Sequence, residues 1–480
     1  MNAHTLVRAI ACVGAAAAVL VAAEARAADA PAKRPNVLFI AIDDLNHWVG
    51  YLGRNPQTKT PNIDRLAARG AWFTRSYCAA PVCNPSRAAL MSGLRPGSSG
   101  VYENNHDFTK YIPTDITLTT QFRKAGYYVC GAGKIYHGSV HRPEEWDDYG
   151  GRGDRKSEDK IVRGPAVSAG RLDITPLDCR DEDMPDYHCV SYGLQQLSQP
   201  RDKPLFVAVG IVKPHLPWSV PRKYYEMFPL EKIELPPYRE DDLDDLPPAG
   251  VRMAKPEGDH AAILAEGVTS WKKAVQAYLA TISFCDAMVG RLMDGFDKSP
   301  YRENTIVCFW SDHGWHLGEK HHWRKFALWE EAARAPMIWV VPGLTKANAR
   351  CDRAVDFMSI YPTLCDLCGI AVPSHVQGVS LRPLLKDPAA PWPSPAVTTY
   401  RYMNHTVRSE QWRYIRYADG GEELYDEARD PYEWTNLAKS PEFAPRIKEL
   451  AGWLPKTNKP GAERDKRDRD AKRDKKKRNK

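Results

Sequence analysis

Runs of apolar residues that stop abruptly at polar ones recur along the chain. They are Asn36–Ile42, Tyr127–Ala132, Leu205–Val212 and Thr305–Trp310. Continuous apolar runs are typical of central strands that are covered on both faces. Helical segments alternate with them, one capped by Thr60 with Pro61 at its first position and Gly70 beyond its end, and another over Gln276–Phe296. This alternation predicts an α/β sandwich with a central, mostly parallel sheet.

A different pattern follows the proline-rich stretch Pro383–Pro395. Short alternating runs occupy Ala396–Tyr402, Asn404–Arg408, Trp412–Tyr417 and Glu423–Tyr425, and a helical segment follows at about Pro441–Leu454. Such runs predict an antiparallel sheet and thus a small C-terminal α+β domain. We expect a catalytic domain over residues 28–385, a C-terminal subdomain over 386–458 and a charged, disordered tail over 459–480.

The first residues resemble an export signal. Met1–Arg8 carries one basic residue, Ala9–Ala22 is almost continuously apolar, and Ala25-Arg26-Ala27 gives a small-x-small cleavage pattern. The apolar run is short for a bilayer span, so we favour a cleaved signal peptide at residues 1–27 over a membrane anchor. The mature protein is then expected to be periplasmic or secreted, without stable membrane insertion.

Net charge changes this picture little. The 480-residue chain has a formal charge of +7, but the excess lies in the tail after Lys459 and in the first residues. A nucleic-acid-binding protein is expected to carry its basic excess on a folded face, so we expect no nucleic-acid partner.

The cysteines give weaker information. Export permits disulfides, and Cys179 and Cys189, which flank a polar loop, are the best local pair. Cys365 and Cys368 have a CxxC spacing but lie at helical positions within Ile360–Ile370. This favours buried small apolar residues over a redox or zinc motif.

Chemistry-bearing residues follow each of the four apolar runs. They are Asp43 and Asp44, Lys134 and His137, His215, and Asp312 and His313. In open α/β sheets, ligands bind beyond the carboxyl ends of the strands. We therefore expect these side chains to share one site.

The segment Cys83-Asn-Pro-Ser-Arg87 is the most informative in the chain. Ser86–Ser92 is predicted to be a helix closed by Gly93, which puts Cys83 at a helix N-terminus that favours an anion. Arg87, one turn on, could offer a charged fork to an oxyanion. The residues alone indicate a nucleophile for an anionic substrate. A phosphatase-type thiolate and a buried structural cysteine both remain open.

The same segment, followed by a short helix and a glycine, resembles the signature of the formylglycine-dependent sulfatases of the alkaline phosphatase superfamily. The segments Lys134–Gly138, Lys213–Pro217 and Asp312–Glu319 are most similar to the iduronate-2-sulfatase branch. His313 favours that branch, since most other sulfatases have asparagine there. The resemblance covers roughly Pro35–Leu437 and implies an alkaline-phosphatase-like sandwich.

The resemblance also implies the chemistry. Cys83 would be oxidised to formylglycine by a formylglycine-generating enzyme, and its gem-diol would attack sulfur to give a covalent enzyme-sulfate. One divalent cation, Ca2+, would be held by Asp43, Asp44, Asp312, His313 and the side chain at position 83. An imidazole is an unusual ligand for Ca2+, and on its own it would indicate a transition metal.

Further roles follow from the same resemblance. Asp312 would take the proton of the nucleophile, and Arg87, Lys134 and Lys325 would spread positive charge over the sulfate. His137 would act as the base that opens the diol. His215 would protonate the leaving oxygen, with Lys325 as the rival for that role.

The function expected is that of an exported sulfatase acting on a sulfated carbohydrate, with a 2-O-sulfate on a uronic acid as the substrate that the branch implies. The alternatives are a phosphate or phosphonate monoester hydrolase of the same superfamily and a non-catalytic glycan-binding protein. For Trp218 and Trp315 the sequence leaves two roles open, stacking on a sugar ring or packing in the core. For His316, His321 and His322 the alternatives are lining the sugar site and being exposed loop residues.

Overall fold

The computed structural model describes residues 34–138, 142–152 and 161–462. The expected signal peptide at residues 1–27 lies outside the described residues, as does the tail from residue 463 onward. Only residues 459–462 of the expected tail are described. They are bonded to the folded part of the protein, since the Lys459 amide donates to the carbonyl oxygen of Gly97 and the Ala462 amide donates to that of Gly100, both at 2.8 Å.

The strands fall into a large and a small sheet and two short ribbons. Those in the first half of the chain are β1 (Asn36–Asp43), β2 (Ala71–Tyr77), β3 (Tyr128–Gly133), β4 (Asp148–Tyr149), β5 (Val162–Arg163), β6 (Leu177–Asp178) and β7 (Leu205–Pro214). Those in the second half are β8 (Thr305–Ser311), β9 (His316–Leu317), β10 (Trp323–Arg324), β11 (Met337–Val340), β12 (Ala349–Asp356), β13 (Ala396–Thr399), β14 (His405–Arg408), β15 (Trp412–Arg416) and β16 (Glu422–Asp426).

The large sheet has eight strands in the order β12-β2-β11-β8-β1-β7-β3-β4. Neighbouring strands are parallel throughout, except that β11 runs antiparallel to both β8 and β2. The predicted α/β architecture with a mostly parallel sheet is thus confirmed. The four apolar runs of the sequence form four adjacent strands, β8, β1, β7 and β3.

The core lies on both faces of this sheet. Along β1, Leu38, Ile40 and Ile42 pack in one hydrophobic cluster, and the alternate residues Val37, Phe39 and Ala41 pack in another. Because successive side chains of a strand point to opposite faces, a strand covered on both sides must be apolar throughout. This explains why the central strands carry no polar alternation.

Helices cover both faces. They are α1 (Pro61–Ala67), α2 (Cys83–Ser92), α3 (Pro96–Ser99), α4 (Leu118–Lys124), α5 (Pro185–Ser198), α6 (Arg222–Glu226), α7 (Pro248–Ala254), α8 (Asp259–Glu266), α9 (Val268–Phe296), α10 (Glu330–Ala333), α11 (Ile360–Leu367), α12 (Arg382–Lys386) and α13 (Ala444–Ala451). The long helix α9 begins at Val268, earlier than the predicted Gln276, directly after Gly267. Its first turns include Lys272 and Lys273, which interrupt the helical repeat of apolar residues in that part of the sequence.

The small sheet contains four antiparallel strands in the order β13-β14-β15-β16. The predicted C-terminal antiparallel sheet is therefore confirmed, with strand bounds within three residues of the expected runs. Helix α13 is shorter than predicted because Pro441–Phe443 forms a separate 3-10 turn before it.

The ten cysteines in the described ranges all have free thiols. This includes Cys179 and Cys189, so the structure does not contain the disulfide that their spacing suggested. Cys365 and Cys368 are buried in the core, in agreement with the apolar interpretation of that pair.

Among the described residues, none of the helices combines the length and the apolar character that crossing a bilayer requires.

A buried ionic network joins the small sheet to the large one. Arg413 on β15 is fully buried and contacts the carboxylates of Glu330, Glu427 and Glu433. Its Nη1 also donates to the carbonyl oxygen of Leu328 at 3.0 Å. Arg413 thus balances acidic groups from helix α10 and from the segment after β16 in one water-excluded place.

We expect Arg413→Met to lower the free energy of unfolding by about 3–5 kcal/mol, because it removes the buried cation that contacts Glu433 and leaves Glu330 and Glu427 with Arg408 as their shared buried arginine. Urea denaturation monitored by circular dichroism measures this. The matched control is Arg416→Met on the same strand, whose ion pair with Glu422 is partly exposed and is worth at most about 1 kcal/mol. Equal effects of the two substitutions would contradict the importance of the buried network.

Candidate active site

The carboxyl ends of β1, β3, β7 and β8 bring the sequence-predicted residues to one edge of the sheet. Asp43 is the last residue of β1, and Lys134 follows β3 directly. His215 follows β7, and Asp312 and His313 follow β8. The expected convergence of these residues therefore occurs, since the four strands are neighbours in the sheet.

Asp44 lies at a sharp turn of the backbone with φ of 63°. Its backbone nitrogen donates to Asp312 Oδ1 at 3.0 Å, and its carbonyl oxygen accepts from the Tyr278 hydroxyl at 2.8 Å. The same hydroxyl accepts from the backbone nitrogen of Asn46 at 3.0 Å. Sequence reasoning did not single out Tyr278. The sequence did contain one signal for it, since Tyr278 lies on the apolar face of α9. A tyrosine hydroxyl that is buried on such a face needs a hydrogen-bond partner.

Cys83 is the first residue of α2, which starts before the predicted Ser86. Pro85 is accepted within the first turn because the amide it lacks has no partner there. The helix is joined to the neighbouring strand end by the Ser86 hydroxyl, which donates to the carbonyl oxygen of Asp312 at 2.5 Å. The start of the helix is therefore tied to the carboxylate edge.

The side chains of Lys325, His313 and Asp44 lie close to the fully buried sulfur of Cys83. Lys325 Nζ lies 3.1 Å from Sγ, His313 Nε2 lies 3.3 Å away and Asp44 Oδ1 lies 3.8 Å away. Lys325 Nζ also donates to both carboxylate oxygens of Asp44, at 2.8 and 3.0 Å. A nucleophilic atom at this position has two cationic groups within contact distance.

The Arg87 guanidinium is hydrogen-bonded within the carboxylate edge of the site. Its guanidinium is fully buried, with Nε donating to Asp312 Oδ2 at 2.8 Å and Nη2 donating to the carbonyl oxygen of Ile42 at 3.0 Å. Nη1 donates to the carbonyl oxygens of Lys134 and Ile135. Its donors are thus used by the protein itself, so Arg87 orders the strand ends instead of offering a free fork to an oxyanion.

Burial and neighbouring cations act in opposite directions on the acidic groups. Burial alone would raise the pKa of Asp43, but the Lys134 ammonium in contact with it lowers that pKa far below its usual value. Burial would likewise raise the pKa of the Cys83 thiol, but Lys134, Lys325 and His313 together hold it well below its usual value. Position 83 therefore favours a negatively charged atom.

Asp312 and His313 respond differently. Burial raises the pKa of Asp312 to about 7, although Arg87 acts against the rise. Burial would lower the pKa of His313, but Asp312 and Cys83 raise it to about 9. A bound cation would favour the ionised carboxylate and the neutral imidazole, since a ligand must offer a lone pair.

His215 and His137 stand at the outer part of the site. The side chain of His215 is 31% exposed, and its Nε2 lies 3.8 Å from Asp44 Oδ2. His137 is also partly buried and interacts with the Cys83 side chain; burial lowers its pKa in spite of that contact.

The residues fit a divalent cation. Ligand atoms of Asp44, Cys83, Asp312 and His313 all lie within 4.8 Å of one another, as do those of Asp43, Asp44 and His215. The two groups share Asp44 and contain three carboxylates. Hard divalent cations prefer such oxygen-rich sets, and an imidazole is compatible with several of them.

The aromatic and histidine candidates prove to be structural. Trp218 and Trp315 are almost fully buried and pack against each other with ring centroids 5.7 Å apart, so the core interpretation holds for both. His316 and His322 are buried too. His321 Nε2 lies 2.8 Å from the carbonyl oxygen of Arg239.

Two family descriptions match the chain. Residues 35–370 match the family described as Sulfatase, and residues 318–459 match the family described as N-sulphoglucosamine sulphohydrolase, C-terminal. The second match covers the small antiparallel sheet and helix α13.

Individual relatives agree with these matches. The chain is 39% identical over 447 residues to a protein named Sulfatase from Formosa agariphila, covering 88% of this chain and 87% of the relative. It is 29% identical over 384 residues to human iduronate 2-sulfatase, covering 70% of each. Among solved structures, a phosphonate monoester hydrolase of Agrobacterium radiobacter superposes with a TM-score of 0.73 at 21% identity, covering 88% of this chain and 95% of the other. That likeness concerns the fold.

We expect Asp44→Asn to weaken the binding of a divalent cation at least about tenfold, because it removes one charge from the ligand set. Asparagine tolerates the left-handed backbone of position 44, so the turn should persist. Isothermal titration of chelator-treated protein with CaCl2 measures the affinity. Asp241→Asn, at an exposed carboxylate, is the control, and equal affinities of the two variants would contradict the assignment of the site.

Proposed function

The chain belongs to the sulfatase family of enzymes that hydrolyse sulfate esters, and on that premise we propose that it removes an O-sulfate from a sugar of a sulfated polysaccharide. One observation carries this proposal. The side chain at position 83 lies at a helix N-terminus between Lys325, His313 and Asp44, at an edge that contains two further buried carboxylates.

Two groups would complete the site. Oxidation of Cys83 to formylglycine by a formylglycine-generating enzyme would supply a hydroxyl nucleophile that can later release sulfate, as covalent catalysis requires. Ca2+ held by Asp43, Asp44, Asp312 and His313 would polarise a sulfate oxygen and favour ionisation of that hydroxyl.

The lysines stabilise negative charge at the reacting centre. Lys325 Nζ lies 3.1 Å from the atom at position 83, close enough to donate to an oxygen bound there or to a sulfate oxygen. Lys134 forms a buried ion pair with Asp43 at the same edge of the sheet. Arg87 keeps Asp312 oriented, so that Asp312 can take a proton from the nucleophile.

His215 is the proposed donor of the proton to the leaving sugar oxygen. It is partly exposed at the outer side of the site, where a leaving group must depart. Lys325 is less suited to this role because Asp44 binds its ammonium through both oxygens, and that contact raises the pKa of Lys325 against the effect of burial. His137, which interacts with the side chain at position 83, would remove the proton in the second step.

The substrate position and the cellular location are further parts of the proposal. Similarity to human iduronate 2-sulfatase supports a 2-O-sulfate on a uronic acid or a related sugar. The signal-like sequence of residues 1–27 supports export to the periplasm or the medium.

We expect Cys83→Ala to reduce turnover of 4-nitrophenyl sulfate on the order of 10³-fold or more, because it removes the precursor of the nucleophile. Intact-mass analysis of the wild-type protein should show the aldehyde at position 83. Cys78→Ala, at another buried cysteine, is the control and should remain active. Full activity of Cys83→Ala, or faster hydrolysis of 4-nitrophenyl phosphate than of the sulfate by the wild type, would overturn the proposal.

We expect His215→Ala to slow hydrolysis of sugar sulfates by about 100-fold or more, because a poor leaving group needs its proton in the transition state. Activated aryl sulfates should lose about tenfold or less. Steady-state rates across a series of leaving-group pKa values measure the difference, with His188→Ala as the control. Equal losses for all leaving groups would argue against a role as general acid.

A further inference from the structure

The turn at residues 400–404 between β13 and β14 of the small sheet lies beside the segment that leads to Cys83. The Thr398 hydroxyl donates to the carbonyl oxygen of Cys78 at 2.5 Å, and the Thr399 amide donates to the carbonyl oxygen of Ala79 at 2.9 Å. Strand β13 is thus bonded to the residues four and five positions before Cys83. The turn that follows it is carried to the rim of the site.

Contacts on both sides confirm that location. The Tyr400 ring lies 6.4 Å from that of Phe326, the residue after Lys325. Arg401 Nε lies 3.1 Å from Glu103 Oε1. The carbonyl oxygen of Glu103 accepts from the Asn84 side chain at 3.0 Å, and Asn84 is the residue after Cys83. Two short paths therefore connect the turn with the reacting centre.

The turn is rigid and strained. Arg401 and Met403 both have left-handed backbones, with φ of 57° and 59°, although neither is glycine. The Asn404 side chain donates to the carbonyl oxygens of Tyr400 and Tyr402, at 3.0 and 3.1 Å. Residues in such strained conformations cluster at functional sites, where the surrounding structure holds them.

Three side chains of the turn, those of Arg401, Tyr402 and Met403, are largely exposed to solvent. Tyr402 is 46% exposed and Met403 is 41% exposed. Tyr402 packs edge-on against Tyr102, with ring centroids 6.2 Å apart, so one of its faces is directed away from that partner. The side chain of Arg401 is 60% exposed although it pairs with Glu103. A guanidinium next to an open aromatic face is suited to an anionic sugar.

We propose that this turn is a specificity subsite, in which Arg401 binds a second anionic group of the glycan and Tyr402 contacts its ring. The inference rests on the proposed function of the site. Arg401 is separated from position 83 by Asn84 and Glu103, and the reacting sulfate is next to Lys325, so Arg401 meets a different group of the same substrate. A carboxylate and a second sulfate share the required chemistry.

The test compares three disaccharides. The first carries one sulfate and a neighbouring uronate, the second carries one sulfate on otherwise uncharged sugars, and the third carries two sulfates on otherwise uncharged sugars. In Arg401→Gln, the ratio of kcat/KM for the dianionic substrates to that for the monosulfated one should fall about tenfold. Arg401→Lys should keep part of the ratio, and Tyr402→Ala should raise KM for all three. Arg350→Gln, an exposed arginine paired with Asp352, is the matched control and should leave the ratio unchanged.

Glu103→Gln provides a second variant that leaves Arg401 intact. It removes the internal competitor of the substrate anion, so the preference for dianionic substrates should rise. The uronate arm and the disulfated arm identify which anion is bound. An unchanged ratio in both Arg401→Gln and Glu103→Gln would overturn the subsite while the sulfatase proposal stands. Turnover of aryl sulfate by the wild type without turnover of any disaccharide would overturn both.

Discussion

The structure depends on the compensation of negative charge in a place without water. Asp43, Asp44 and Asp312 are fully buried within a few ångströms of one another, which would be prohibitive for isolated carboxylates. Their charge is met by Lys134, Lys325, Arg87 and His313. These partners come from helix α2 and from the segments that follow β3, β8 and β10, so the site exists only when the sheet edge is complete. Its geometry is therefore a property of the whole fold.

The sequence predicted those parts of the site that follow from strand ends. Parallel strands end at the same edge, so residues placed after β1, β3, β7 and β8 had to meet there. The direction in which a side chain points was beyond the reach of this argument. Arg87 is one helical turn from Cys83, yet it turns inward to Asp312 and to backbone carbonyls instead of outward to a substrate. The spacing of residues along a helix predicts which residues are near each other. The direction of a side chain such as Arg87 depends instead on which hydrogen-bond acceptors the neighbouring strands leave unpaired.

Other features had no local signal. Tyr278 supports Asp44 from a helix more than two hundred positions along the chain, and Arg413 contacts acidic residues from helix α10 and from the segment after β16. Such pairs are fixed by packing between distant elements. Conversely, Trp218 and Trp315 follow site residues in sequence but are buried in the core, where the two rings pack against each other. Proximity in sequence to a reactive residue is thus a poor guide to contact with a ligand.

The burial of Cys83 constrains the order of events in the life of the protein. Its sulfur is fully enclosed, the segment before it is bonded to β13, and α2 is tied to the end of β8. An enzyme that oxidises this thiol cannot reach it once these elements have closed. The oxidation proposed for Cys83 would therefore have to precede the docking of the C-terminal strands. Under that proposal, a cell that folds the polypeptide before oxidising Cys83 would accumulate protein whose thiol the oxidising enzyme could no longer reach in the native state.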